Sequence, residues 1–518
     1  MKYIGIHLGH DAGVAVFDDQ ANMTFYAQME RYTRIKTSAF EIDLSHWFPN
    51  LPKPTKEDVV AIAHVEHHTD GRWKGTENTC HDSMGYDSQL VHRYIPLAEK
   101  NYFSKTIGKN PDFCISHHLA HALSSWCFRK DDQKRLFLSY DGAGFNTEGK
   151  LVCNQVGYIS NDGIERIDNA IHIPTSIPVV GLLGHNTAGK AMGLAGYMPK
   201  RPFSEEMVLQ LLKHSLNDQF CHRYPFIEEE GRTDSDLQFV ADFYRWYMSV
   251  IWNALKENIE KFSGGGGGVI IGGGTALALE INTMIYEITK DVVFGPPIDD
   301  SGCALGAAAF AYYQHNKRWP KIESPSLMDL QDPLPKIGPQ EPKDIAKLIH
   351  EGKVIALLRE KGEAGPRALG YRSLLASPIA SNLKLVSQDI KGREFYRPLA
   401  PIVSKESFDK LFKGPVGEYM QFLVECTETA RSLAPAICHK DNTARPQVVF
   451  REKDPWMHEL LSEYEKISGI PCLINTSLNK KGCPICNTHE DVQREMKWKP
   501  VTLVSIPHPA WKLPTMFI

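Results

Sequence analysis

Much of what classifies a chain is missing from this one. Among its 518 residues no window approaches 18 uninterrupted apolar positions, which excludes an ordinary transmembrane helix. Met1-Lys2-Tyr3-Ile4-Gly5 runs straight into a strand-like pattern, so a cleaved signal peptide is not expected. Of eleven cysteines, Cys483 and Cys486 form one Cys-x-x-Cys pair, and no second pair completes a zinc or disulfide framework. The cysteines read as small buried hydrophobes of a reduced, cytoplasmic protein. A basic surplus is lacking too. Lys+Arg number 58 against 62 Asp+Glu, net -4, unlike a chain dominated by phosphate-backbone binding. No short-period repeat suggests a solenoid, and nothing marks an oligomeric state.

What is present is an ordinary globular composition, 42% apolar and 23% charged, at a length expected for two or three domains. Charge is unevenly spread. From Asp344 onward there are 25 Lys+Arg against 20 Asp+Glu, net +5, and the remainder is net -9. That favours small anions as ligands of the C-terminal part. Prolines crowd residues 320–342 (Pro320, Pro325, Pro333, Pro335, Pro339, Pro342), which read as a linker. The expected division is 1–342, including that linker, and 343–518.

Three apolar strands run into glycine turns. Tyr3–Leu8 enters Gly9-His10-Asp11-Ala12-Gly13 and returns as Val14–Phe17, a hairpin pattern. Leu136–Ser139 enters Tyr140-Asp141-Gly142-Ala143-Gly144, and Val269–Ile271 enters Gly272-Gly273-Gly274. Glycine lets backbone N–H groups approach phosphate oxygens. Gly142, Gly273 and Gly274 are therefore candidate nucleotide contacts, with simple chain reversal as the alternative. In the helix-like Ser116–Leu123, His117 and His121 are four apart and share a face, while His118 points elsewhere. Two imidazoles need further ligands, usually carboxylates, and Asp141 and Asp300 are candidates. The alternative is a pair of hydrogen-bonded histidines.

Taken together, several segments resemble the O-carbamoyltransferases of the nodulation-factor, cephem and aminoglycoside type. They are Gly9-His10-Asp11, Glu30–Arg34, His117–Ala122, Asp141–Gly144, Gly189–Ala195, Gly273–Leu277, Asp300–Gly306, Gly365–Ser373, Arg393–Pro401, Asp441–Arg445 and Asn475–Asn479. They run in the family's order over nearly the whole chain. The resemblance implies an α/β protein in two parts. The first is an actin/Hsp70-like ATPase domain similar to the tRNA threonylcarbamoyl-transfer ATPase (Kae1-like). The second is an α/β, carbamoyl-adenylate-forming (YrdC-like) domain. It further implies that carbamoyl phosphate and ATP give carbamoyl-adenylate, whose carbamoyl group passes to an alcohol. The acceptor is a natural-product or sugar hydroxyl, or a hydroxymethylated pyrimidine as nucleotide or in DNA; no membrane partner is implied.

The family also suggests roles. His117, His121, Asp141 and Asp300 would hold Fe(II) or another divalent metal, with Mg2+ accompanying ATP. His10, with Asp11, would take the acceptor's proton or orient the carbamoyl group. Arg367, Arg372, Lys391, Arg397 and Arg445 would cradle phosphates, because guanidinium forks bind them bidentately; Arg367 and Arg397 would act at the reacting centre. Asn475, Ser477 and Asn479 would add neutral hydrogen bonds. Lys190 would neutralise a phosphate, and Asn282 would line the adenosine side. Ala278 stands where the family commonly has Asn, which weakens one nucleotide contact. Residues 64–95, mixing His, Arg and aromatic types, are a candidate acceptor surface. Against carbamoyl transfer stands a sugar-kinase-like or other non-carbamoylating ATP-binding protein, which would leave the arginine-rich C-terminal motifs unexplained.

Overall fold

A computed structural model describes residues 1–36, 48–63, 91–93, 108–145, 151–174, 188–202, 206, 234–264, 268–330 and 333–507. Nearly all of the candidate acceptor surface at 64–95 lies outside the described residues.

Two sheets fill the first part. One holds β1 (Lys2–His7), β2 (Gly13–Asp18), β3 (Met23–Gln28), β4 (Val59–Ala63), β5 (Val91–Arg93) and β6 (Phe113–Ile115), in the order β3-β2-β1-β4-β6-β5. The other holds β7 (Arg135–Phe145), β8 (Leu151–Ser160), β9 (Gly163–Arg166), β10 (Val269–Gly272) and β11 (Val292–Val293), in the order β11-β10-β7-β8-β9. Each is an antiparallel three-strand meander whose first strand, β1 or β7, pairs parallel with β4 or β10, and that strand pairs parallel with β6 or β11; β5 lies antiparallel on β6. This internal duplication matches the expected actin/Hsp70-like ATPase architecture. Ligands of such open sheets gather where parallel strands end; β1 and β10 end at glycine turns, and β7 carries its glycines in a register break between Tyr140 and Gly144.

Two helices seal the space between the sheets. In α1 (His117–Trp126) every residue is buried, and α2 (Cys303–Asn316) is buried from Cys303 through Tyr313. A helix apolar on all sides belongs in an interior. The polar exceptions in α1 are its three histidines, Ser124 and Ser125, brought into the core because the helix itself is there.

The third sheet combines β12 (Ile355–Arg359), β13 (Arg372–Ala376), β14 (Ala400–Ser404), β15 (Gln447–Val449), β16 (Cys472–Ser477) and β17 (Thr502–Ile506), in the order β15-β14-β16-β13-β12-β17. Helices Pro342–His350 and Pro455–Ser468 pack on it through Ile345, Ile349, Leu460, Leu461 and Tyr464. Local chemistry bounds the second helix: Asp454 caps its start by accepting from the Met457 N–H, and Gly469 ends it at φ 74°.

The proline-rich segment differs from the flexible linker expected. Trp319, Ile322, Leu327, Met328, Leu330 and Leu334 are buried. Leu327 and Met328 N–H groups donate to Gly362 O, Asp329 N–H donates to Tyr26 O, and Ile337 bridges to Ser505. Proline lowers chain entropy without preventing packing, so the segment is a strap across both parts. Arg31 adds a tie, donating to Glu363 O and Gly365 O, and Arg34 reaches Pro484 O and Ile485 O at 2.7 Å. Gly365 stands at the contact. Its φ is +90°, and a Cβ there would collide with Pro296 O, so only glycine suits the position.

Candidate functional site

The strand ends bring His117, His121, Asp141 and Asp300 into one buried group whose ligand atoms lie within 4.8 Å of one another. Asp141 leaves β7, the histidines lie one helical turn apart on α1, and Asp300 sits on the turn before α2. His117 Nε2 and His121 Nε2 are 3.1 Å apart, and Asp141 Oδ2 lies 3.2 and 3.3 Å from them. Asp300 approaches His121 at 3.4 Å and His117 at 3.7 Å. Two neutral imidazoles cannot turn lone pairs on each other and on carboxylates at these distances without a proton or a cation between them. The His2Asp2 donor set fits a divalent transition ion. Burial opposes charge on His117, but Cys303 and the two aspartates outweigh it and raise its pKa to about 10; His121 is shifted the same way. His118 Nε2–H donates to Val152 O instead, its Nδ1 accepts from the Ser139 hydroxyl, and burial lowers its pKa to about 3.

The hairpin turn closes this group from one side. His10 Nε2 lies 3.2 Å from Asp300, and its Nδ1 lies 3.1 Å from Asp11 Oδ2. The Asp300 charge, against the cost of burial, raises the His10 pKa to about 10. His7, unnoticed in the sequence, is buried beside it with its Nε2 at 3.1 Å from His10 O.

The glycine turns do something other than present free amides to phosphate. Gly142 and Gly274 N–H groups donate to Asp141 Oδ1 at 2.7 and 3.0 Å, and Gly273 N–H donates to Ile298 O. Gly273, at φ +100°, has Tyr140 O where a Cβ would be. Two of the three amides thus orient Asp141, and the third serves Ile298 O.

A cavity of about 340 Å³ opens between the two parts. One wall comes from helices Ala188–Tyr197, Asp234–Phe262 and Leu279–Thr289, with Trp252, Tyr244 and Glu280 among its side chains; the other carries Arg367, Arg393, Arg397 and Arg445. Arg397 has Glu394 at 3.7 Å, whereas among the described residues no carboxylate forms an ion pair with Arg367, Arg393 or Arg445. Burial and the neighbouring guanidiniums lower Arg393 to about 9, and Arg445 is shifted down for the same reasons. Burial lowers Arg367 to about 10, with Asp299 partly offsetting it. Guanidiniums keep their charge in proteins, so the wall is a positive field suited to an anion.

Other expected contacts lie elsewhere. Arg372 is fully buried and gives its donors to the carbonyls of Asn487, Arg359, Tyr371 and Glu360. It braces β12 and β13 rather than facing the cavity. Asn282 donates to Ala276 O and Gln421 O, and Asn475 donates to Ala368 O and Gln447 Oε1; both are buried connectors. Lys391 is buried and donates to Ser477 Oγ at 3.2 Å and Asn479 Oδ1 at 2.7 Å, forming one network with Arg393, whose guanidinium lies 3.4 Å from Ser477 Oγ. Burial and the nearby arginines hold its ammonium well below the ordinary range. Lys190 sits 3.4 Å from Glu394. Sequence reasoning missed Arg393, Glu280 and Cys303. Arg393 had a signal, two residues after Lys391 inside a recognised motif; Glu280 had none, because its helix meets the arginines only in three dimensions.

Among known proteins, a family described as carbamoyltransferase C-terminus matches residues 346–510. Nodulation protein U of Sinorhizobium fredii is 34% identical over 551 residues, covering 93% of this chain and 94% of that one. Nodulation protein U of Azorhizobium caulinodans is 27% identical over 561 residues, with 93% and 94% covered. Among solved structures, HypF of T. kodakarensis aligns over 61% of this chain and 48% of that one, at 12% identity and TM-score 0.34. With a relative this similar along its whole length, the chain belongs to the carbamoyltransferase family that includes nodulation protein U.

Proposed function

We propose that the chain is an ATP-dependent O-carbamoyltransferase. Carbamoyl-adenylate forms from carbamoyl phosphate and ATP in the arginine-lined cavity, and its carbamoyl group passes to an acceptor hydroxyl beside His10 and Asp300. The observation that carries this reading is the cluster of four guanidiniums lining one cavity, three of them in no ion pair among the described residues. Carbamoyl phosphate and a triphosphate both bring the missing negative charge, and each charge-assisted hydrogen bond there contributes about 1.5–3 kcal/mol. Arg367 feels Asp299, next in sequence to Asp300, so the two sites adjoin.

In the transfer step the acceptor oxygen attacks the carbamoyl carbon, the bond to AMP breaks, and the hydroxyl proton leaves. His10, held by Asp11, is the group on the hairpin turn placed to orient the carbamoyl or receive that proton. Asp141 is locked by Gly142 and Gly274, which keeps the His2Asp2 group rigid. A divalent ion bound by that group, iron(II) in the reading proposed, supplies positive charge against the phosphate of the leaving AMP. The chain divides its labour at about residue 342 in this reading.

The test is incubation of the full chain with ATP and carbamoyl phosphate, followed by AMP and pyrophosphate analysis. Mass spectrometry would then seek the gain of one carbamoyl group on sugars, cephems, hydroxymethyl nucleotides and hydroxymethylated DNA. No AMP with or without any acceptor would sink the reading; the acceptor that gains mass names the substrate class.

A further inference from the structure

We propose that Glu280 recognises the ribose hydroxyls of the nucleotide entering the arginine-lined cavity, so that the first part of the chain selects a ribonucleoside triphosphate for the reaction run against the arginine wall. The inference rests on the nucleotide reading of that cavity. Glu280 lies in the first turn of helix Leu279–Thr289 and lines the cavity on the wall away from the guanidiniums. Tyr244, Met248 and Trp252 recur every four residues along helix Asp234–Phe262, and Met284 stands one turn after Glu280. Two helix faces therefore converge on the cavity as an apolar, partly aromatic strip with a carboxylate in it.

Neighbouring polar groups are engaged elsewhere. Asp441 accepts from the Thr443 hydroxyl at 2.6 Å and from the Thr443 N–H at 3.1 Å. Arg245 donates to Asp242 and to the carbonyls of Ala195, Met198 and Pro199. Glu280 accepts from the Tyr244 hydroxyl and from its own N–H. A carboxylate has about four lone-pair sites, so acceptors remain for a ligand. Burial raises the Glu280 pKa, and Asp441 adds to the rise against those two hydrogen bonds; further donors from a ligand favour its charged form. The cavity thus suits an occupant with an anionic end, an apolar ring and hydroxyl donors between them. A nucleoside triphosphate carries them in that order: phosphates for the guanidiniums, ribose hydroxyls for Glu280 and a base for the strip around Trp252. Carboxylates bind ribose hydroxyls in dinucleotide folds by the same chemistry. In carbamoyl phosphate the amide follows the phosphate directly, which keeps it beside the guanidiniums.

The experiment measures binding of ATP and of 2′,3′-dideoxy-ATP to the full chain by calorimetry. The wild-type protein should bind ATP about 10–100-fold more tightly, the effect of hydrogen bonds to a charged group. Glu280→Ala should bind ATP no better than the wild type binds the dideoxynucleotide, and its affinity for the dideoxynucleotide should be unchanged. A structural role for Glu280 would weaken both nucleotides alike and overturns the assignment. So does discrimination that persists in Glu280→Ala, or a change confined to the KM for carbamoyl phosphate. Equal binding of the two nucleotides by the wild type, with carbamoyl phosphate-dependent pyrophosphate release intact, overturns the Glu280 assignment while the carbamoyltransferase reading stands. No binding of ATP overturns both. If Glu280→Ala fails to fold, the wild-type comparison and Glu280→Gln, which keeps the shape and should lose most of the discrimination, decide.

Discussion

At the strand ends of the first part, two imidazoles and two carboxylates crowd within 3.1–3.7 Å of one another. In the cavity against the third sheet, Arg367, Arg393 and Arg445 share a wall, and among the described residues no carboxylate forms an ion pair with any of them. Both regions bury like or ligating groups that would be costly if left alone. The first lacks a cation and the second lacks an anion. Burial alone therefore does not identify a site; the sign of the missing charge does.

The sharpest way to break this comparison is to empty the first region. His117→Ala with His121→Ala should remove bound divalent metal entirely and lower carbamoyl transfer to acceptor by at least about 1000-fold, while carbamoyl phosphate-dependent pyrophosphate release persists, since the cavity arginines are untouched. Metal analysis and pyrophosphate assays on the same preparation check it, and joint loss of both activities would merge the two regions into one. Next in size, Arg445→Ala should reduce kcat/KM for carbamoyl phosphate by about 10–100-fold, one charge-assisted contact's worth, with metal content unchanged. Because Arg445 is held down by Arg367, Arg393 and Arg397, the same variant should raise the Tm of the ligand-free protein and shrink the stabilisation given by carbamoyl phosphate. A fall in ligand-free Tm would mean that the cluster is balanced from within.

Arg372→Ala separates brace from ligand contact. Four carbonyls lose their donor, so denaturant unfolding should show a loss of about 3 kcal/mol or more, with KM values unchanged in the folded fraction. Asn282→Ala should be smallest, about 1–2 kcal/mol of stability from the freed Ala276 and Gln421 carbonyls, with ATP KM unchanged; a raised ATP KM would return it to the adenosine side.

The alternating apolar runs at Tyr3–Phe17, Leu136–Ser139 and Val269–Ile271, and the i,i+4 spacing of His117 and His121, were readable one segment at a time. Strand and helix periods are local, and so is the metal-ligand spacing of a helix face. The motif order likewise revealed the carboxylates that join the histidines. What the linear chain could not disclose was where polar groups spend their hydrogen bonds. Arg372 and Arg445 sit in equally suggestive motifs, yet one is consumed by four carbonyls and the other faces a cavity. The glycines of the strand turns promised free amides, and two of them hold Asp141. Tertiary structure decided these, because a donor's role depends on which acceptor lies within about 3 Å of it, and those acceptors come from residues up to 133 positions away. It also decided that Cys303 stands with the histidines and that prolines read as a linker form a packed strap. The net -4 of the chain concealed both buried fields, since composition counts charges and only the fold sets them side by side.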